Sequence, residues 1–427
     1  MPETRGKHPW LAWTLTVGRI LMGQAGVQFI NALAGIILVR SLPKEQFAWF
    51  TILSAMSALV SCLGDSGLQS GLMVIGGRVY RDREDFSKAV VTSLRLRFWL
   101  TGAALAMVSP LSWVLLTRNG TTPGIAGLLV ASTVMGILPA ARMGAFVAAV
   151  RLQGKYLAPV VADLTGSTVR LCGNIATALF APLALWATLS ASASQWISVQ
   201  ILRKRVSEMV DLSSVGSSEY RNEQIGTIKT LWFPVLFAAF QGQIGTWVLS
   251  VFGRHDSVAE IGAISRFSSL FTIIGSIIPA VIGPKFAIHD DYKQLRKIFS
   301  FGILYAGMCC GSLILAVILF PKIFIWILGS KYAILENSLV LFFLNGSIGI
   351  FTMLVWSLVS NKAWIKGSWL IPLITIIVQI VSAVFLNLSE LRQVLWMMII
   401  TGIPGLILSS IMATKGILKL KNGINKL

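Results

Sequence analysis

Long apolar runs, broken by short polar segments, recur along almost the whole chain, at about 17–39, 47–75, 89–116, 124–150, 157–179, 182–201, 227–252, 261–287, 298–320, 334–360, 368–388 and 393–414. A helix needs about 20 apolar residues to cross a hydrocarbon core. Only helices and closed barrels satisfy the backbone in lipid, and barrel strands alternate apolar with polar positions, whereas these runs are continuous. The pattern predicts an all-α polytopic membrane protein of about twelve transmembrane helices. The longest hydrophilic stretch, Arg203 to Gly226, contains the flexible composition Ser213-Ser214-Val215-Gly216-Ser217-Ser218 and divides the runs six and six. Residues 1–202 and 227–414 are therefore expected as two six-helix bundles, 203–226 as a linker and 415–427 as a basic tail. The stretches Arg40 to Trp49 and Gly253 to Ala263 each lead from a short polar loop into the next helix, about half a chain apart. That is the register of a parallel two-fold repeat.

Composition strengthens the membrane reading: hydrophobic residues make up 55% and charged residues 12%, with mean hydropathy +0.76. Soluble domains carry about 25% charged residues. A net charge of +19 raises nucleic acid as a partner, but its distribution argues against one. With the N-terminus taken as cytoplasmic, inner segments hold roughly 24 basic residues and outer segments roughly 7, a strong positive-inside bias. The expected location is an inner membrane with both termini cytoplasmic and no nucleic-acid partner. The tail lysines Lys415, Lys419, Lys421 and Lys426 suit the anionic inner leaflet. No cleavable signal is read in Met1 to Trp10. Cys62, Cys172, Cys309 and Cys310 fall inside apolar runs and read as packing residues. Asn119-Gly-Thr121 and Asn387-Leu-Ser389 fit the glycosylation pattern by chance.

Five arginines remain inside the apolar runs: Arg95, Arg97, Arg142, Arg170 and Arg266. A guanidinium at the bilayer centre costs about 2.5–3.5 kcal/mol or more, so it is expected to face a partner or a polar cavity. Arg142, Arg170 and Arg266 are the candidate anion contacts, because a planar fork of donors suits phosphate. Arg95 and Arg97 lie within a few turns of the inner surface, where snorkelling to headgroups is the simpler role. Gln24, Gln28 and Asn31 share one face of the first helix and, with Gln241 and Gln243 on the seventh, are candidates to line a cavity; interhelical hydrogen bonding is the plainer alternative. Asp65 and Asp163 are candidates for proton or sodium coupling, with structural ion pairing as the alternative.

No phosphate-binding GxxxxGK[ST] loop occurs, and His8, His255 and His289 lie in tails or loops. The reading is a protein that is not an enzyme, with no cofactor and no metal site.

Three stretches resemble a known family: Leu38-Val39-Arg40-Ser41-Leu42-Pro43-Lys44-Glu45-Gln46-Phe47-Ala48-Trp49 followed by Gly64-Asp65-Ser66-Gly67-Leu68; Val258-Ala259-Glu260-Ile261-Gly262 leading to Arg266 and Ile278-Pro279; and Leu328-Gly329-Ser330-Lys331-Tyr332. Together with the twelve-helix plan they are similar to Wzx-type O-antigen and capsule repeat-unit flippases, in the superfamily that includes the MATE multidrug exporters. Ala48 replaces the usual glycine, and Ile264 stands where many relatives have an aromatic. The resemblance implies two six-helix bundles around a central cavity and alternating access. It implies an undecaprenyl-pyrophosphate-linked oligosaccharide as substrate, with membrane lipids and the polysaccharide polymerase and chain-length machinery as partners. The competing expectation is an ion-coupled small-solute or multidrug antiporter of MATE-like or major-facilitator type; cation export would favour acidic cavity residues over arginines.

Overall fold

The computed structural model describes residues 9–278, 282, 283, 286, 291–362, 364 and 367–421. Arg5, Lys7, His8, Pro279, Lys285, His289, Lys366 and Lys426, which figure in the sequence reading, lie outside the described residues. Every regular element among the described residues is helical. The chain forms two compact units, Met1–Val251 and Phe252–Leu427.

The first unit contains α1 (Pro9–Ser41), α2 (Lys44–Asp65), α3 (Leu68–Val79), α4 (Arg83–Arg118), α5 (Pro123–Ala140), α6 (Met143–Leu152), α7 (Leu157–Phe180), α8 (Ala184–Ser207), α9 (Ser218–Gln241) and α10 (Ile244–Phe252). The second contains α11 (His255–Ile264), α12 (Ser268–Ile277), α13 (Tyr292–Leu319), α14 (Pro321–Leu328), α15 (Glu336–Asn361), α16 (Leu370–Phe385) and α17 (Leu391–Lys421). Eight helical stretches among the described residues are long and apolar enough to span a membrane, and α9–α10 supply a ninth bent by 57°. The 24-residue helices α7 and α8 and the shorter apolar helix α16, of 16 residues, bring the count to about twelve. The sequence places the division of the chain at 203–226; the compact units divide after Val251, because α9 packs on α2, α3 and α4.

Several spans are broken, each for a local reason. Between α2 and α3, Ser66 and Gly67 adopt left-handed φ values of 39° and 83°. Glycine takes that conformation without penalty, and Ser66 offsets its strain by donating its hydroxyl to Leu63 O. Between α5 and α6, Pro139 lacks the amide that would bond the carbonyl four residues back. That carbonyl, Met135 O, instead accepts from Trp196 Nε1 at 3.1 Å.

Small residues set the packing of α5, α7 and α8. Ser192 Oγ donates to Ser132 O at 2.7 Å, Ser194 Oγ to Gly166 O at 2.7 Å and Ser198 Oγ to Ala162 O at 3.0 Å. Ser132 and Thr188 hydroxyls lie 2.7 Å apart. This is the small-residue, hydroxyl-bridged contact expected where apolar burial does not drive helix association. Asn174 joins α1 to α8: its Nδ2 donates to Ala34 O at 2.9 Å, and its Oδ1 accepts from Ser190 at 2.7 Å.

The connections of the first unit gather at two ends. At one, Gln153 Nε2 donates to Tyr80 O at 3.0 Å, Lys155 pairs with Glu208 at 3.3 Å, and Asp211 N donates to Ser87 Oγ at 2.9 Å. At the other, Trp49 Nε1 donates to Asn119 O at 2.9 Å, Ala184 N to Gln46 Oε1 at 2.8 Å, and Asn119 Nδ2 to Ser250 O at 3.2 Å. Asn119 is only 5% exposed, which leaves no room for a glycan.

In the second unit α15 packs between α13 and α17. Its core is aromatic, with Phe267–Phe324, Phe271–Phe343 and Phe324–Phe343 centroids 5.3, 5.5 and 5.5 Å apart. Ile264 is fully buried.

Candidate functional site

Within the first unit, α2, α5, α7 and α8 enclose a cavity of about 200 Å³. α2 contributes Ser54, Ser57 and Ser61, spaced to share one helix face. α5 adds Thr133, and α8 adds Thr188, Ser192 and Gln195. α7 contributes Arg170, the one charged lining residue. Ser54 and Thr133 are turned back on their own helices, donating to Phe50 O at 2.8 Å and Leu129 O at 2.9 Å. Arg170, Ser57, Ser61 and Gln195 make no side-chain hydrogen bond or ion pair among the described residues. The cavity thus presents a guanidinium fork, two hydroxyls and an amide without internal partners. A half-buried cation with open donors can receive an anion.

Arg142 does not line this cavity. It lies exposed at the α5–α6 junction, in a separate pocket with Arg95 and Arg203. Arg266, half-buried in the second unit, occupies the 3-10 turn Ser265–Phe267. Ser265 and Ser269 bond main-chain oxygens of Gly262 and Arg266 at 2.8 and 3.1 Å. Arg266, Glu260 and Asp256 all act electrostatically on the buried Tyr332, a mixed-charge setting unlike that of Arg170. Gln24, Gln28 and Asn31 are half-buried on α1, and Gln241 and Gln243 sit at the α9–α10 bend; none of them lines the Arg170 cavity.

Asp65 ends α2 and accepts a hydrogen bond from Arg97 Nη2, and from Gln69 N at 3.3 Å. Arg97 is 4% exposed, so it turns inward and does not reach for the surface. Gly144 on α6 lies against its guanidinium and leaves no room for a Cβ. Asp163 is half-buried on α7, with no hydrogen bond or ion pair among the described residues.

The hydroxyl set of α2 and α8 is not among the residues the sequence points to. Its signal was the spacing Ser54, Ser57, Ser61, Asp65 along one face of α2, masked because serine is also an ordinary packing residue in membrane helices.

No protein-family model matches the sequence, and no curated protein matches it. Solved structures do share the fold. The inward-facing conformation of a multidrug resistance MATE family transporter of the MOP superfamily superposes with a TM-score of 0.74 at 16% identity, covering 92% of this chain and 96% of that one. The outward-facing conformation of such a transporter gives 0.67 at 17% identity, covering 95% and 96%. A MOP superfamily transporter from Pyrococcus furiosus, described as having reversed binding-pocket polarity that suggests a different function, gives 0.64 at 16% identity with the same coverage. The chain has the fold of these multi-pass membrane transporters.

Proposed function

We propose that this protein is a flippase that carries an undecaprenyl-pyrophosphate-linked oligosaccharide across the inner membrane by alternating access, for O-antigen, capsule or other surface polysaccharide synthesis. The observation that carries the reading is Arg170, without an ion pair among the described residues, in its hydroxyl-lined cavity. At about 200 Å³ the cavity is smaller than the roughly 300–1,000 Å³ of pockets for drug-sized ligands. It suits a phosphate head, with sugars and prenyl chain accommodated elsewhere. The fold shared with transporters in inward- and outward-facing conformations supports alternating access, and a similarly folded transporter described as having reversed pocket polarity is in keeping with a different substrate class on this fold. Ion coupling falls more naturally to Asp163, which forms no hydrogen bond or ion pair among the described residues, than to Asp65, which Arg97 already holds.

The second reading, export of a drug or other small solute, is favoured by the multidrug transporters among the similar structures. One experiment separates the two. The protein is reconstituted in liposomes and assayed for movement of a prenyl-pyrophosphate-linked oligosaccharide and, separately, for efflux of a cationic dye. Losing a charge-assisted contact of about 2–3 kcal/mol predicts a 30- to 150-fold weaker apparent affinity for the lipid-linked substrate in Arg170→Ala. Arg170→Lys should recover part of it. Dye efflux without lipid-linked transport, or unchanged transport in Arg170→Ala, would overturn the flippase reading.

A further inference from the structure

We propose that the first unit carries, apart from the Arg170 cavity, an interfacial pocket for the phosphate headgroup of an anionic membrane lipid, formed by Arg95, Arg142 and Arg203 beside Trp99. It uses different residues from the Arg170 cavity and stands whether or not the protein is a flippase.

α4 supplies Arg95, Phe98 and Trp99, the α5–α6 junction supplies Arg142, and the end of α8 supplies Arg203, around a cavity of about 380 Å³. A second cavity of about 480 Å³ shares Arg95 and Trp99 and adds Arg221. No carboxylate lines either one. A neighbouring hollow that shares Arg203 holds Glu84 and Asp211. None of the four arginines forms an ion pair among the described residues. Converging like charges repel, and an anion between them removes the repulsion while accepting several forked donors.

The loop beside the pocket is ordered. Asp211 accepts from Ser213 N at 3.0 Å and Ser213 Oγ at 2.6 Å, contacts that hold its carboxyl below the ordinary carboxylate range. Ser217 N donates to Thr92 Oγ1 at 2.9 Å, and a Cβ at Gly216 would stand 2.9 Å from that oxygen, so the loop lies tight on α4. Between these anchors the Ser214 hydroxyl lines the pocket, buried and without a hydrogen-bond partner among the described residues.

The neighbouring side chains point to a lipid as the bearer of the phosphate. Phe98 and Trp99 are 57% and 77% exposed on the turn that follows Arg95. Aromatic rings beside arginine mark the boundary between headgroups and acyl chains. α4, with 36 residues, is about 54 Å long and overruns a hydrocarbon core of about 30 Å, so its first turns lie outside it. Arg95 is twelve residues from its start, near that boundary.

The test is native mass spectrometry of the full-length protein in detergent with phosphatidylglycerol, phosphatidylcholine or inorganic phosphate added. The expected result is phosphatidylglycerol adducts on the wild type, reduced at least fivefold in Arg95→Gln/Arg203→Gln, with few phosphatidylcholine adducts in either protein. The Arg95→Lys/Arg203→Lys protein, which keeps the charge, should retain much of the binding and serves with the melting temperature as the folding control. Equal adducts in wild type and the glutamine protein, or equal binding of the two lipids, would overturn the proposal. Displacement of phosphatidylglycerol by millimolar inorganic phosphate would do so as well, since the site would then take the free anion.

Discussion

Arg97 and Asp65 show how a charge at membrane depth is settled by its neighbours. The sequence offers Arg97 as a residue that reaches the headgroups and Asp65 as a candidate for ion coupling or for structural ion pairing; in the structure Arg97 turns inward and bonds Asp65, which takes the pairing role. The reason lies on a third helix: the absent side chain of Gly144 opens the space that the guanidinium fills. Sequence spacing within one helix carries no signal of that kind. Removing one partner of a buried pair costs about 3–5 kcal/mol, because the other charge is left alone in low dielectric. Here the loss falls on Asp65, whose side chain is 36% exposed, so the low end, about 3 kcal/mol, is the expectation for Arg97→Met. Asp65→Asn strands the more deeply buried Arg97 and should be worse. The double variant Asp65→Asn/Arg97→Met should be more stable than Asp65→Asn alone, as read by thermal melting in detergent. Additive losses would mean that the two residues do not act as a pair.

At the scale of helices, close approach organises α5, α7 and α8. A Cβ at Gly136 would stand 2.6 Å from Ser192 Oγ and 2.8 Å from Ser192 Cα. The second of these is backbone and cannot swing away. Overpacking of this kind costs about 1–3 kcal/mol, whereas an interhelical hydrogen bond in a membrane protein averages about 0.6 kcal/mol. Alanine gains up to about 1 kcal/mol over glycine in helix propensity, so a net loss in Gly136→Ala would be the stronger sign of crowding. Gly136→Ala is expected to lower the melting temperature more than Ser192→Ala; the opposite order would make hydrogen bonding, not close approach, the main term. The spans themselves were legible in the sequence because a twenty-residue apolar run is a strong signal. α7 and α8 were found this way despite Asp163, Arg170 and their serines. What the runs conceal is their breaks. The apolar runs place Asp65, Arg142, Gln241 and Arg266 within helices, and the structure places all four at helix ends or junctions. At Asp65 the interruption is the left-handed pair Ser66 and Gly67, and beside Arg142 it is Pro139; hydropathy does not register either.

At the scale of the molecule, charge and connectivity report the same polarity by independent routes. Hydrogen bonds gather the α3–α4, α6–α7 and α8–α9 connections of the first unit at one end. Arg78, Arg81, Arg83, Arg151, Lys155, Arg203, Lys204, Arg205 and Arg221 flank those connections. The α1–α2, α4–α5 and α7–α8 connections meet at the other end, flanked by Arg40, Lys44 and Arg118. A wrong count of spans in sequence would have mixed the two sets. The place where the chain divides into units was less legible: the serine-rich linker suggested 203–226, but serine and glycine mark chain flexibility, not packing, and α9 rests on the helices before it. The positive-inside rule, which counts lysine and arginine in short loops, predicts orientation from this asymmetry. The basic end should therefore face the cytoplasm. Ser213 and Thr122 are exposed residues at the basic and neutral ends. Each is replaced singly by cysteine after Cys62, Cys172, Cys309 and Cys310 are changed to serine or alanine, and whole cells are treated with a membrane-impermeant maleimide. Thr122→Cys should be labelled in intact cells, and Ser213→Cys only after the membrane is opened. The reverse pattern would invert the topology and place the Arg95–Arg203 pocket against the outer leaflet.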